Sequence, residues 1–116
     1  MKMIKKCLVS LSLLAFLMPM ASVILADSHK KLTIALLPGV VDPFYFTMHR
    51  GAKHAAEALG VNLLFQVPKQ WNVSVQVPIL NAIIAKKPDA ILIAPTDKVQ
   101  LIAPLQAAVD QGIKVI

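Results

Sequence analysis

The chain has 116 residues, of which 57% are hydrophobic and 16% charged, and its formal net charge is +6. Its one cysteine, Cys7, excludes a disulfide framework within the chain. The basic residues are scattered without interleaved aromatic residues, which argues against a nucleic-acid surface.

The N-terminal segment has the pattern of an export signal. Three lysines occur within the first six residues, and residues 7–26 are almost free of charge. We therefore expect residues 1–26 to be a signal peptide that is cleaved after Ala26, and residues 27–116 to lie in the periplasm. An uncleaved membrane anchor is the alternative, but Pro19 and several serines interrupt the apolar run.

Four short apolar runs follow the leader at even spacing. They are near-continuous apolar blocks, which is typical of strands buried on both faces of a parallel sheet. Segments of helical length separate them, so the sequence predicts an α/β fold with a doubly wound parallel sheet. The predicted strands are residues 32–37, 61–67, 90–94 and 113–116.

The first predicted helix covers residues 44–59. Asp42 is expected to cap it, Pro43 to occupy its first position, and Gly60 to end it in a left-handed conformation. Residues at helical spacing predict one buried face. They are Met48, Ala52, Ala55, Ala56 and Leu59.

The other two helices are predicted over residues 74–86 and from Asp97 to Gly112. Pro78 is compatible with the second helix only in its first turn, and Asp97 is expected to cap the third. The residues expected to be buried are Val77, Leu80 and Ile84 in the second helix, and Ile102, Leu105 and Val109 in the third.

Aromatic residues gather where the first two strands end, the edge at which open parallel sheets bind ligands. Phe44, Tyr45 and Phe46 are consecutive, so they cannot all face the sheet. We predict that Phe44 and Tyr45 stack on a flat, partly apolar ligand and that Phe46 belongs to the core. For Asp42 the sequence leaves helix capping and ligand binding open, and for Trp71 it leaves ligand binding and loop packing open.

Catalytic and metal-binding patterns are absent from the sequence. Gly39 stands alone after the first strand, so there is no phosphate-binding loop, and the three histidines lack partners at metal-ligand spacing. No Ser, His and acid arrangement is evident. We expect no cofactor, no metal ion and no enzymatic activity.

Several segments then occur in a fixed order along residues 32–116. After the first strand these are Asp-Pro-Phe-Tyr at 42–45, Arg-Gly-Ala at 50–52, Ala-Leu-Gly-Val-Asn-Leu at 58–63, Lys-Pro-Asp-Ala-Ile-Leu-Ile-Ala-Pro-Thr-Asp at 87–97 and Gln-Gly-Ile-Lys-Val-Ile at 111–116. Together they resemble the sugar-type periplasmic substrate-binding proteins of ABC importers, of which the ribose-binding protein is a familiar member.

The resemblance implies two α/β lobes joined by a hinge, with the ligand between them. Residues 27–116 would then be part of the N-terminal lobe of a longer protein. Asp42, Phe44 and Tyr45 occupy the places of an Asn-Pro-Phe-Phe segment that supplies a polar contact and two stacking rings to ribose. Because Asp replaces Asn and Tyr replaces Phe here, a preference for ribose does not follow.

The resemblance also implies a function for the protein. It is expected to be a monomeric, non-enzymatic receptor that binds a sugar through Asp42, Phe44, Tyr45 and Trp71 and delivers it to the membrane permease subunits of an ABC importer. The alternative is a periplasmic receptor that presents a signal molecule, such as an autoinducer, to a sensor. A sugar-responsive transcription repressor shares this fold but would begin with a helix-turn-helix.

Overall fold

The computed structural model describes residues 30–116, in which strands and helices alternate strictly. The predicted signal peptide lies outside these residues. None of the helices within the described part is both long enough and apolar enough to span a membrane. The elements are β1 (Thr33–Leu37), α1 (Pro43–Leu59), β2 (Asn62–Phe65), α2 (Val73–Ala85), β3 (Ala90–Ile93), α3 (Ile102–Asp110) and β4 (Lys114–Val115).

The four strands form one parallel sheet in the order β2-β1-β3-β4. In its register, Leu36 of β1 lies opposite Phe65 of β2, and Leu37 lies opposite Ile93 of β3. The predicted α/β doubly wound sheet is therefore confirmed. Each strand is one to three residues shorter than the predicted apolar run.

Successive residues of β1 point to opposite faces of the sheet. Ala35 and Leu37 face α2 and α3, on what we call the α2–α3 face, where they join a continuous buried core. Leu36 points to the other side, the α1 face, on which Met48 and Ala52 of α1 lie near it. The buried core of the α2–α3 face consists of Ala35, Leu37, Leu80, Ile83, Ile84, Ile91, Leu101, Ala108 and Ile113.

Helix α1 begins and ends as predicted, but its buried face differs from the expected one. Of the five residues expected inside, only Ala56 is fully buried, and Leu59 is 75% exposed. His49 instead turns toward the sheet, where its ring stacks on Phe65 with centroids 3.9 Å apart and planes 7° from parallel. The helix is rotated toward the edge strand β2, so the apolar residues Met48 and Leu59 lie away from that contact.

Two further expectations about the helices are wrong. Within α3 only Ala108 is fully buried, next to Leu101 directly before the helix, whereas Ile102 and Val109 are exposed. Leu105 packs against the core as expected, although it is only partly buried. The core side of this segment is therefore formed by Leu101, Leu105 and Ala108, because packing against the sheet, rather than the sequence period alone, fixes the rotation of a short helix. Pro78 lies inside α2, beyond its first turn, where its ring nitrogen has no hydrogen to donate to the preceding turn.

Candidate ligand-binding edge of the sheet

The strand order places a crevice at the carboxyl ends of β1 and β3. From β1 the chain crosses to β2 on one side, and from β2 it returns across β1 to β3 on the other side. Connections that leave neighbouring strands in opposite directions open a gap between them, and ligands of open α/β sheets bind in such gaps. The candidate site is therefore formed by the loops that follow these strands.

Asp42 ends the β1–α1 loop and caps α1. Its Oδ1 accepts a hydrogen bond of 2.7 Å from the backbone N–H of Phe44, and its own backbone is extended, as an N-cap residue requires. Pro43 follows at the start of the helix, where a missing N–H is harmless. The capping role predicted for Asp42 is thus confirmed. The residue as a whole is half-buried.

The two rings after this cap are at the surface. Phe44 is 66% exposed, and its ring meets that of Tyr45 edge to face, with centroids 5.3 Å apart and planes at 73°. Tyr45 is half-buried. The accessible faces of these rings can cover an apolar surface of a ligand.

Phe46 was expected in the core, and that expectation is wrong. Its side chain is 43% exposed, and its ring centroid lies 6.3 Å from that of Phe65 in the edge strand β2. A residue against an edge strand has protein on one side only, so it is covered less than a residue against β1 or β3. Phe46 therefore differs from Phe44 in that its ring contacts a residue of the sheet, Phe65.

Trp71 reaches the β1–α1 loop from the loop that follows β2. Its six-membered ring lies against Gly39, where a Cβ atom would approach Trp71 Cε3 to 2.6 Å, so a side chain at position 39 would displace the Trp71 ring. The backbone N–H of Val41 donates to the carbonyl of Pro68 at 2.9 Å and joins the same two loops. Trp71 remains 55% exposed, so it packs on one loop and still presents a surface to a ligand.

The β3–α3 loop holds Asp97, which is committed to its own backbone. The carboxylate accepts hydrogen bonds from the N–H groups of Gln100 (2.7 Å) and Val99 (2.8 Å). These bonds, that of Gln100 first, lower the pKa of Asp97 because they favour its charged form. The prediction that Asp97 caps α3 is therefore wrong, because a turn over 98–101 separates the two and the N-cap of α3, Leu101, makes no side-chain cap bond. Asp97 caps that turn instead.

One residue of this edge was missed in the sequence. Gln76 lies in the first part of α2 and is fully buried, and its amide bonds to the loops after β1 and β3. The available signal was its position four residues before the core residue Leu80, which places a polar side chain on the buried face of an apolar helix.

An apolar hollow lies on the α1 face, next to the carboxyl ends of β1 and β3. Its volume is about 370 Å³, and none of the four predicted ligand-binding residues lines it. Within residues 30–116, α1 covers only part of that face. Its lining residues are Leu36, Pro38, Met48, Ala52, Leu92, Ile93, Ala94 and Ile116.

Residues 34–116 match the family described as periplasmic binding protein domain. The chain belongs to this family. Its members are substrate-binding proteins rather than enzymes, and the resemblance drawn from the sequence is confirmed.

Solved structures of related periplasmic binding proteins align with most of the chain. An ABC transporter solute-binding protein from Agrobacterium vitis, bound with alpha-D-tagatopyranose, is 56% identical with a TM-score of 0.71, and the match covers 73% of this chain and 29% of that chain. One from Burkholderia graminis in complex with D-arabinose is 32% identical with a TM-score of 0.71 and coverages of 75% and 30%.

A more distant structure shares the fold alone. LsrB from Clostridium saccharobutylicum in complex with AI-2 is 22% identical, with a TM-score of 0.69, and the match covers 72% of this chain and 26% of that chain. The chain thus spans less than a third of the length of each of these three proteins.

Proposed function

We propose that this chain forms one wall of a sugar-binding cleft in a periplasmic solute-binding protein that serves an ABC importer. The observation that carries the proposal is the exposed pair of Phe44 and Tyr45 directly after the Asp42 cap, at the carboxyl edge of β1. The 56% identity to a solute-binding protein with bound tagatose supports a sugar rather than another solute.

The chemistry of these three residues suits a sugar. A sugar ring presents apolar C–H faces and a rim of hydroxyl groups. Phe44 and Tyr45 can cover a face, while Asp42 Oδ2 can accept a hydroxyl hydrogen, and a hydrogen bond to a charged acceptor is stronger than one to a neutral acceptor. Trp71 adds a second exposed aromatic surface that is anchored to the same loop. We assign all four residues to the ligand.

The proposal extends to the rest of the protein. Residues 1–26 direct export and are removed after Ala26, residues 27–116 belong to the N-terminal lobe, and a second lobe closes over the ligand. The closed, monomeric protein then docks on the permease subunits and releases the sugar unchanged. Mass spectrometry of the secreted protein tests the cleavage site, because an N-terminus at Met1 would contradict it.

The binding proposal is tested by calorimetric titration of the complete mature protein. The panel contains D-tagatose, D-arabinose, other pentoses and hexoses, and the autoinducer AI-2. We expect a sugar to bind, and Phe44→Ala and Tyr45→Ala each to weaken that binding at least about ten-fold, the loss that follows from uncovering an aromatic contact. Trp71→Ala tests the fourth residue in the same way.

Phe46→Ala is the matched control for these variants. It removes a similarly exposed ring from the same helix, but one that meets Phe65 instead of the crevice. We expect it to bind the sugar as the wild type does. Equal losses in the Phe44 and Phe46 variants would refute the assignment of the site, whereas binding of AI-2 and of no sugar would favour the signal receptor.

A further inference from the structure

Gln76 is a polar side chain buried among apolar residues of the core. Among residues 30–116 it is the single polar or charged residue that is fully buried. It precedes Leu80 by one turn of α2, on the side of the helix that faces the core. A buried amide without partners destabilises a protein, so its bonds decide its role.

All the hydrogen-bonding capacity of this amide is used, and it is used between two loops. Nε2 donates to the carbonyl of Pro38, directly after β1, at 3.3 Å and to the carbonyl of Ala94, directly after β3, at 2.8 Å. Oε1 accepts from both the backbone N–H and the hydroxyl of Thr96, each at 2.8 Å. An amide has two donor hydrogens and two acceptor sites, so none is left over.

These bonds span the two strands between which the crevice opens. Pro38 begins the loop that leads to Asp42, Phe44 and Tyr45, and Thr96 lies in the loop before α3. Strand pairing joins these loops only where they begin, because the last pair of the β1–β3 ladder is Leu37 with Ile93. Beyond that pair, one further backbone bond, from Ala94 to Leu37, continues the ladder.

We propose that Gln76 is a positioning residue that sets the separation of the β1–α1 and β3–α3 loops and thereby shapes the ligand-binding edge. It is not expected to touch the ligand. Its effect on ligand affinity rests on the proposed sugar-binding function, but its effect on the two loops does not. The loops and the ligand are therefore tested separately.

Hydrogen exchange of the complete protein without ligand tests the loops. We expect Gln76→Leu, which keeps the apolar volume but none of the bonds, to speed amide exchange in residues 38–45 and 94–97 at least about ten-fold, the ratio expected for the loss of buried hydrogen bonds. Leu80→Ala is the control, because it damages the same helix without touching either loop. It is expected to speed exchange in the strands rather than selectively in these loops.

The affinity for the sugar that binds best in the panel tests the consequence for the site, with Gln76→Glu as the informative variant. An ionised glutamate can accept from Thr96 but cannot donate to either carbonyl, whereas a protonated one restores a donor. Burial beside carbonyl oxygens would raise the pKa of this glutamate. We expect its affinity to improve about ten-fold or more from pH 8 to pH 5, relative to wild type at each pH.

The wild type supplies the baseline for that pH profile. The groups that face the Gln76 amide belong to Pro38, Ala94 and Thr96, none of which titrates. Asp42 and Asp97 are the acidic residues of the two loops, and they are present in both proteins, so the ratio of affinities removes their contribution.

Each outcome decides between the alternatives. Faster loop exchange in Gln76→Leu in a protein that binds no sugar would uphold the positioning role and refute the proposed function. Loop exchange no faster than in Leu80→Ala, or a flat pH ratio in Gln76→Glu, would overturn the positioning role. Should Gln76→Leu not fold, loop exchange in Gln76→Glu at pH 5 and pH 8 replaces it, and loss of the fold in both variants at every pH would assign Gln76 to folding alone.

Discussion

The two faces of the sheet differ in how they are held. On the α2–α3 face, nine residues form one continuous buried core around Leu80 and Ile91. On the α1 face, Leu36 and Ala56 are buried, but an apolar hollow of about 370 Å³ opens between Met48 and the strands. Within residues 30–116, stability therefore comes mainly from the α2–α3 face, because close packing is what makes apolar burial effective.

The proposed binding residues lie at the end of the weakly packed face. The start of α1 is fixed by the Asp42 cap, the Val41–Pro68 bond and the contact of Trp71 with Gly39, rather than by a core. Local bonds thus hold the rings of Phe44 and Tyr45 at the surface. This contrast shows how a small sheet can separate the residues that stabilise it from the residues that meet a ligand.

The largest expected effect contrasts the two faces directly. Leu80→Ala should lower the free energy of unfolding by about 2–5 kcal/mol, because it leaves a cavity in the core of the α2–α3 face. Met48→Ala should cost less than about 1 kcal/mol, because Met48 is 43% exposed on the α1 face and its loss leaves no enclosed cavity. Urea denaturation of the complete protein measures both, and equal losses would contradict the contrast.

The prolines of α1 and α2 allow a second comparison, because Pro43 begins its helix whereas Pro78 lies inside its helix. Pro78→Ala should raise the free energy of unfolding by about 1–2 kcal/mol, since an interior proline disfavours a helix by about 3 kcal/mol while its rigidity offsets part of this in the unfolded chain. Pro43→Ala is the control at a compatible first position, and it should lower stability by about 0.4–1 kcal/mol. Thermal unfolding measures the change in stability of both variants. A loss of stability in Pro78→Ala would contradict the position of Pro78 inside a helix.

The two side-chain caps give a third comparison. Asp42→Ala and Asn72→Ala each remove a bond to the backbone at the start of a helix, at 2.7 Å and 2.8 Å, and each should cost about 1 kcal/mol. Only Asp42→Ala should also weaken sugar binding, because Asn72 is not in the proposed site. Paired denaturation and titration experiments separate these effects, and a similar loss of affinity in Asn72→Ala would remove the distinction.

The smallest effect concerns Asp97. Its pKa is lowered from 3.8 by the backbone N–H groups of Gln100 and Val99, so the folded state favours the charged form. The resulting stability is present above the unfolded pKa and is lost as the pH falls below 3.8 toward the lowered value. Asp97→Asn should flatten this part of the stability curve between pH 5 and pH 2, about the range in which carboxylates titrate; an unchanged curve would show that the bonds do not act on stability.

The fold was predictable to a large extent because its signals are local. The apolar runs give the strands, and the Asp42, Pro43 and Gly60 signals give the limits of α1 within one residue. Which side of a helix is buried was less predictable. Ile102 and Val109 are as apolar as Leu101 and Ala108, so their spacing alone could not decide which pair faces the sheet.

The site was predictable only where neighbours in sequence form it. The exposed Phe44–Tyr45 pair follows from consecutive rings at a helix start. The contact of Trp71 with Gly39 and the bonds of Gln76 join segments about 20 to 40 residues apart. No local pattern specifies such contacts, and they arise only when the strands have aligned.

The amino-acid sequence by itself determined the α/β order, the cap of α1 and the position of the aromatic residues at one edge of the sheet, because backbone hydrogen bonding and side-chain period act over a few residues. Only the tertiary structure decided that Phe46 and Leu59 remain exposed, that Trp71 rests on Gly39, and that Gln76 joins two loops. Those outcomes depend on which surfaces meet across the sheet, and packing between distant segments decides that.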